Sequence, residues 1–239
     1  MRIAILAGAL FASIVPSDIV RADATPSGIE IGVRSGYAIP FGAKFGGTSG
    51  GDLDKLATGA VPIWFDAGYR VSPNVFVGAF FQYGVGFAAS SASLYLALDA
   101  PAAQCGQGGV SCSMSDLMFG VDVQYHFLPA ARLDPYLGLG IGYEILNFSL
   151  SQNGANGSMS LDGGQFLNLQ VGADYKAIPN LGIGPFVMFS LGQYSHCSRK
   201  DAAGTYCDFS VPPSGGTLPQ QALHEWLMLG LRGAFDAHL

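Results

Sequence analysis

The chain has 239 residues, 49% of them hydrophobic, and a formal net charge of -6. Only 12% of residues are charged, about half the ~25% usual in soluble domains, so the chain either avoids water or hides inside something else. The acidic balance argues against a nucleic-acid partner, whose phosphates demand Lys and Arg, and no apolar run reaches the ~20 residues of a helical membrane span.

In chain order, Arg2, the apolar run Ile3 to Val15 and the small-x-small stretch Ala22-Asp23-Ala24 come first. Together they have the form of a secretory signal peptide over residues 1–24, leaving 25–239 as the mature chain. An alternating pattern then recurs in eight segments: Gly28 to Gly42, Ala60 to Ser72, Asn74 to Phe87, Asp116 to Phe127, Pro135 to Phe148, Phe166 to Ala177, Leu181 to Tyr194 and Glu225 to Leu239. Period-two alternation is the signature of strands. Across the odd positions 29–41, 61–71, 75–87, 117–127, 135–145, 167–177, 181–191 and 227–239 there is no Asp, Glu, Lys or Arg. The even positions between these hold Glu30, Arg34, Asp66, Arg70, Asp122, Glu144, Asp174, Lys176, Arg232 and Asp236. One face is charge-free and the other polar.

The segment Tyr136 to Ile145, YLGLGIGYEI, places glycine at every second position. It fails as a dinucleotide fingerprint, because the position three after Gly140 is Tyr143. It reads instead as a strand whose small face points into a crowded interior.

The connections alternate. Long ones span about 43 to 59, 88 to 115, 149 to 165 and 195 to 224; short ones centre on Pro73-Asn74, Leu128 to Asp134 and Pro179-Asn180. A soluble sandwich has no reason for loops at one end and tight turns at the other, whereas a membrane barrel does. The charge-free face carries Tyr37, Tyr83 and Tyr143 toward one end of the strands and Tyr69, Tyr125, Tyr175 and Phe235 toward the other. In antiparallel strands these become two aromatic girdles at the two membrane interfaces. The expected fold is an all-β, eight-stranded antiparallel up-and-down transmembrane β-barrel with long extracellular loops and short periplasmic turns. Each strand exceeds the roughly 9 to 11 residues needed to cross, so the wall should project beyond the lipid on the loop side.

These features resemble the small bacterial outer-membrane barrels typified by the barrel part of outer membrane protein A and by outer membrane proteins X and W. The last segment, Leu229-Gly-Leu-Arg-Gly-Ala-Phe-Asp-Ala-His-Leu239, is similar to that family's assembly signal, with Leu where a terminal Phe is usual. The resemblance implies an integral outer-membrane location with periplasmic termini, and contact with outer-membrane lipid and lipopolysaccharide. It also implies handling by the barrel assembly machinery, a monomeric state, and an extracellular partner reached through the loops. No cofactor is expected.

An eight-stranded barrel is just wide enough for side chains to fill it. With Trp64, Phe76, Phe80, Tyr136, Phe186, Met188, Tyr194 and Trp226 also on inward positions, the ten charges should pair within a plugged lumen. His126 and His238 join them near the periplasmic rim. Cys105 with Cys112, and Cys197 with Cys207, lie too far apart for a typical zinc knuckle and read as two disulfides, each stapling a loop. The expected role is non-catalytic: envelope structure or surface interaction, with Leu94 to Leu98 as an apolar contact patch in the second loop.

Two alternatives remain. A narrow channel for small or hydrophobic solutes, as in outer membrane protein W, would need an apolar pocket near Trp64, Tyr194 and Trp226. A lipid A-modifying enzyme would draw on His196-x-Ser198, a base beside a nucleophile without an identifiable acid.

Overall fold

A computed structural model describes residues 28–44, 52–94, 103–200, 216–217 and 221–238. Within them run eight long strands: β1 Gly28–Gly42, β2 Ala57–Ser72, β3 Val75–Ala88, β4 Ser111–His126, β5 Leu133–Gln152, β6 Ala155–Ile178, β7 Leu181–Lys200 and β8 Leu223–His238. Each pairs antiparallel with its chain neighbour. β1 pairs with β8 from Gly28 opposite His238 to Gly42 opposite His224, which closes the sheet into the expected barrel. The signal-peptide residues 1–24, residues 95–98 of the second-loop patch and Cys207 lie outside the described residues.

Along most of the wall, odd positions face out and even positions face in. Ile31, Phe65, Val121, Ile141 and Leu231 stand exposed on the outside, while Glu30, Trp64, Asp122, Tyr136 and Arg232 are buried inside. The glycines of β5 are explained by what faces them. A Cβ on Gly142 would lie 2.6 Å from the Phe119 carbonyl oxygen and 2.9 Å from Phe80. One on Gly140 would lie 3.2 Å from Asp122 Cβ and 3.5 Å from Asn168 Cβ. They leave lumen space to the larger side chains of neighbouring strands.

The structure corrects the expected boundaries. The stretch 149–165 is not a loop: β5 runs to Gln152, β6 begins at Ala155, and Asn153 and Gly154 turn between them at φ 50° and 85°. Asn-Gly is the pair that a two-residue hairpin with positive φ at both positions selects. β4 likewise starts at Ser111 and β7 continues to Lys200.

The physical reason for these extensions is a reversal of polarity along the strands. On β5 the outward series passes from Ile141, Tyr143 and Ile145 to Asn147, Ser149 and Ser151. The inward series passes from Gly142 and Glu144 to Leu146, Phe148 and Leu150, all three about 1% exposed. The neighbours agree in register: Ser115, Asn147, Ser160 and Ser198 form one outward row, and Ser113, Ser149 and Ser158 form the next. Below this level the wall suits lipid; above it, the wall suits water outside and an apolar core within. That upper core receives Leu53 and Leu56 from the 3-10 turn Leu53–Lys55 after β1, and Ala92 and Cys105 from the loop after β3. Cys105 and Cys112 form the expected disulfide there.

Two bulges adjust the wall at the same height. Gly142 pairs with Gln165 and Gly140 with Asn168, so Phe166 and Leu167 together oppose Ile141. Phe166 consequently stands exposed and Gln165 turns inward. On β7, Ser195 is the extra residue between Tyr194 and His196, and it moves Cys197 to the inside. An extra residue in one strand inverts the parity beyond it.

The reversal makes a checkable difference between two outward positions. Val121→Arg, in the middle of the apolar belt, should cost about 2–4 kcal/mol of folding stability in lipid vesicles. Ser149→Arg, two rungs into the polar zone, should stay within about 0.5 kcal/mol. Denaturant unfolding of the two refolded variants would check this.

Candidate functional site

The lumen is the largest assembly of chemically active side chains among the described residues. From the turn end upward, His126 Nδ1 meets Asp134 Oδ2 at 2.9 Å, and Arg70 Nη2 lies 3.4 Å from His126 Nε2. Arg70 Nε donates to Glu30 Oε2 at 2.6 Å and to Asp236 Oδ1 at 3.0 Å. Lys176 is half-buried and donates to the Pro129 carbonyl in the turn between β4 and β5. His238 belongs to the end of β8, opposite Gly28.

Above this layer the closing seam places Arg34 directly opposite Arg232. Two guanidiniums side by side repel unless each is drawn to its own acids. Arg34 Nη2 donates to Asp66 Oδ2 at 2.6 Å and its Nη1 donates to Gln170. Arg232 donates to Glu30 Oε1 at 2.5 Å and to Asp174. Both guanidiniums also lie over rings, Arg34 5.1 Å from the Trp64 centroid and Arg232 4.8 Å from that of Tyr136. Planar, weakly hydrated guanidinium suits such stacking better than ammonium does. Phe76, Phe80, Phe186 and Met188 fill the space around these groups and are buried.

Near the loop end, Glu144 gathers four partners from three other strands. It accepts from Gln165 Nε2 at 2.9 Å, Tyr194 Oη at 2.7 Å and Trp226 Nε1 at 3.1 Å, and meets His224 Nε2 at 2.9 Å. Tyr194 stacks flat on His224, with ring centroids 3.9 Å apart. Glu144 itself is fully buried. Such a carboxylate is tolerated only because charge-assisted bonds surround it. Beside this cluster is a cavity of about 10 Å³ lined by Gln82, Asp116, Met118, Met188, Ser190, Trp226 and Met228; that is room for about one water molecule.

Nine of the ten charged lumen residues named from sequence are buried here, the half-buried Lys176 being the tenth. Four functional partners were missed: Asp116, Asp134, Gln165 and His224. Asp134 and His224 lie one residue outside the chosen segments, and Asp116 at the edge of one, so the even-position rule carried slightly further would find them. Gln165 is odd-numbered and reaches the lumen through the Phe166 bulge, for which the sequence offers no local sign.

On the outside, Tyr37, Tyr69, Tyr83, Tyr125, Tyr175 and Phe235 are all 43–47% exposed. Tyr143 is half-buried and donates to Asp162. That same Asp162 supplies a carboxylate near His196 at 3.6 Å, from the strand opposite. The Ser195 hydroxyl, however, meets the same ring nitrogen, Nδ1, at 2.9 Å. A Ser-His-Asp relay needs the acid on one imidazole nitrogen and the nucleophile on the other. His196 and Ser198 both stand on the exposed face of β7. The expected Cys197–Cys207 pair extends to a residue outside the described ones.

Because Glu144 ties β5 to β6, β7 and β8, Glu144→Ala should orphan several buried donors at once and lower stability by about 3–5 kcal/mol. Glu144→Gln should cost less. Denaturant titration followed by the fluorescence of Trp64 and Trp226 reads both.

A family model described as outer membrane protein beta-barrel domain matches residues 4–195. Among solved structures the chain is similar to Neisserial surface protein A, at 12% identity and a TM-score of 0.49, covering 88% of this chain and 99% of that one. It is similar to the outer membrane protein OprG of Pseudomonas aeruginosa, at 13% identity and a TM-score of 0.47, covering 90% and 99%. A third is Ail, the attachment invasion locus protein of Yersinia pestis, solved with the heparin analogue sucrose octasulfate, at 16% identity and a TM-score of 0.41, covering 87% and 99%. No curated protein matches the chain. With four fifths of its length under that family model and a closed barrel girdled by apolar side chains, the chain belongs to the outer membrane protein beta-barrel domain family and is an integral outer-membrane barrel.

Proposed function

We propose that this barrel is a non-catalytic, monomeric envelope protein with a plugged lumen, which acts in outer-membrane structure or in surface contact through its loop end. In this reading residues 1–24 direct export and the barrel assembly machinery reads β8. Both chain ends then lie in the periplasm and the loop end faces outward. Membrane lipid and lipopolysaccharide cover the apolar belt between the two tyrosine girdles, and an extracellular partner meets the projecting β5–β6 hairpin and the loops.

The observation that carries the reading is the succession of filled layers inside the wall. The Arg34, Arg70 and Arg232 ion pairs occupy the lower half, the Glu144 cluster the upper, and the apolar core around Leu53, Phe148 and Leu161 the mouth. A solute route would need a continuous gap. The cavity beside Trp226 is lined by neither Trp64 nor Tyr194 and has room for about one water, far below the few hundred Å³ of a typical ligand pocket.

Single-channel recording on the refolded mature chain in a planar bilayer tests this, with and without reduction of disulfides. Inserted protein should leave the bilayer closed in both conditions. Steady, salt-dependent conductance would instead favour the narrow channel. Ser198→Ala should leave lipid A unchanged when the protein is incubated with outer-membrane vesicles; loss of an acyl chain with the wild type alone would make the barrel an enzyme.

A further inference from the structure

The charges inside the barrel do not balance. Among the described residues eight carboxylates are buried, against three guanidiniums and two imidazoles; counting the half-buried Lys176 and both histidines as cations still leaves two acids in excess. The same two emerge from the bonding. Six of the eight acids meet Arg or His within 3.0 Å. Asp116 and Asp122 meet none: each accepts one amide hydrogen bond, from Gln82 at 2.6 Å and Gln124 at 2.8 Å, through Oδ2. The Oδ1 atom of each is buried without a partner. The guanidiniums that act on Asp122 from a distance, Arg34 and Arg232, are already bonded to Asp66, Glu30 and Asp174.

A buried charge without a counter-charge is costly enough that it is paired, coordinated to a cation, or neutralised. The two acids differ in what surrounds them. Asp116 faces the cavity with three methionines, whose soft thioethers do not suit a hard cation. Asp122 lies among amides, with Gln124 Nε2 bonded to its Oδ2. Gln124 Oε1 and Asn168 Oδ1 are buried without partners, as is Asn168 Nδ2, and both residues are completely excluded from solvent. The three side chains flank the glycine strand. Gly140 pairs with Asp122 on one side and Asn168 on the other, and Gly138 pairs with Gln124. A Cβ on Gly140 would lie 3.2 Å from Asp122 Cβ and 3.5 Å from Asn168 Cβ, and one on Gly138 would lie 3.3 Å from Gln124 Cγ, so the missing Cβ atoms let these side chains approach one another over the glycine strand. Unpartnered, fully buried polar atoms on both sides of one glycine strand call for a ligand or water.

We propose that Asp122, Gln124 and Asn168 form a mid-lumen binding site for a small hard monovalent cation, such as sodium. One carboxylate and two amide carbonyls match a single positive charge; a calcium ion takes six to eight oxygens, commonly with several carboxylates. A water on the cation accepts from Asn168 Nδ2. The site goes beyond the plugged-lumen reading and does not depend on it: a silent bilayer leaves a resident cation in place.

The test compares thermal unfolding of the folded protein in detergent, in sodium chloride and in N-methylglucamine chloride at equal ionic strength. The second cation is too large to sit among three fully buried side chains and controls for screening. The wild type should unfold several degrees higher in sodium. Asp122→Asn should abolish the difference and Asp116→Asn should keep it. If Asp122→Asn does not refold, Asn168→Leu is read in its place and should weaken the difference. Equal midpoints for the wild type would overturn the site, as would a sodium effect that survives in Asp122→Asn or disappears in Asp116→Asn. So would an infrared band of a protonated carboxylic acid that Asp122→Asn removes, since the acid would then be neutralised by a proton.

Discussion

Everything in this barrel follows from the hydrogen bonds between β1 and β8. In lipid, an unpaired backbone N–H or C=O has no water to turn to, so a sheet that crosses the membrane must leave no edge. The seam runs the whole length of β1 and brings Arg34 beside Arg232. Closure with eight strands also fixes the width: the lumen holds side chains rather than a wide water column. Polarity is then assigned by position alone, with apolar residues outward to lipid and whatever must be polar turned into a narrow interior.

Concentrating charge in so small a volume has a consequence of its own. Each buried arginine must find acids on other strands, and the links so formed cross the lumen: Arg70 to Glu30 and Asp236, Arg232 to Glu30 and Asp174. These contacts cannot slide without stranding a charge, so they hold the register of strands far apart in the chain. The Glu144 cluster does the same at the other end, with hydrogen-bond donors in place of arginine. Glycines in β5 are the geometric counterpart, since a chain of full-sized inward residues on every strand would not fit.

The loop end obeys the opposite rule in the same strands. Once the outward face meets water instead of lipid, serine and asparagine are favoured outside and leucine, phenylalanine and methionine inside, as in any soluble sheet packed on a core. The change occurs within one rung, between Ile145 and Asn147 on the outside and between Glu144 and Leu146 within. A single strand thereby serves as membrane wall below and as one side of a small soluble domain above. The 3-10 turn after β1 and the disulfide-closed loop after β3 supply that domain's other side.

Strand number, antiparallel order, the lipid-facing side and the inward position of the ten charges were legible in the chain, because alternation at period two is a local property that each strand carries by itself. The Asn153-Gly154 turn was legible too, although the expectation of a long loop passed over it. What the alternation could not show was where its own meaning reverses, since apolar residues on even positions of β5 look like the end of a strand until the neighbouring rows are known. Nor could it show the Phe166 and Ser195 bulges, whose cause lies in the partner strands. The pairing of particular acids with particular bases was likewise beyond reach: Glu30 and Arg232 are neighbours only because the first strand meets the last. Polarity belongs to the residue and could be read from the sequence, whereas partnership depends on closure and was decided in three dimensions.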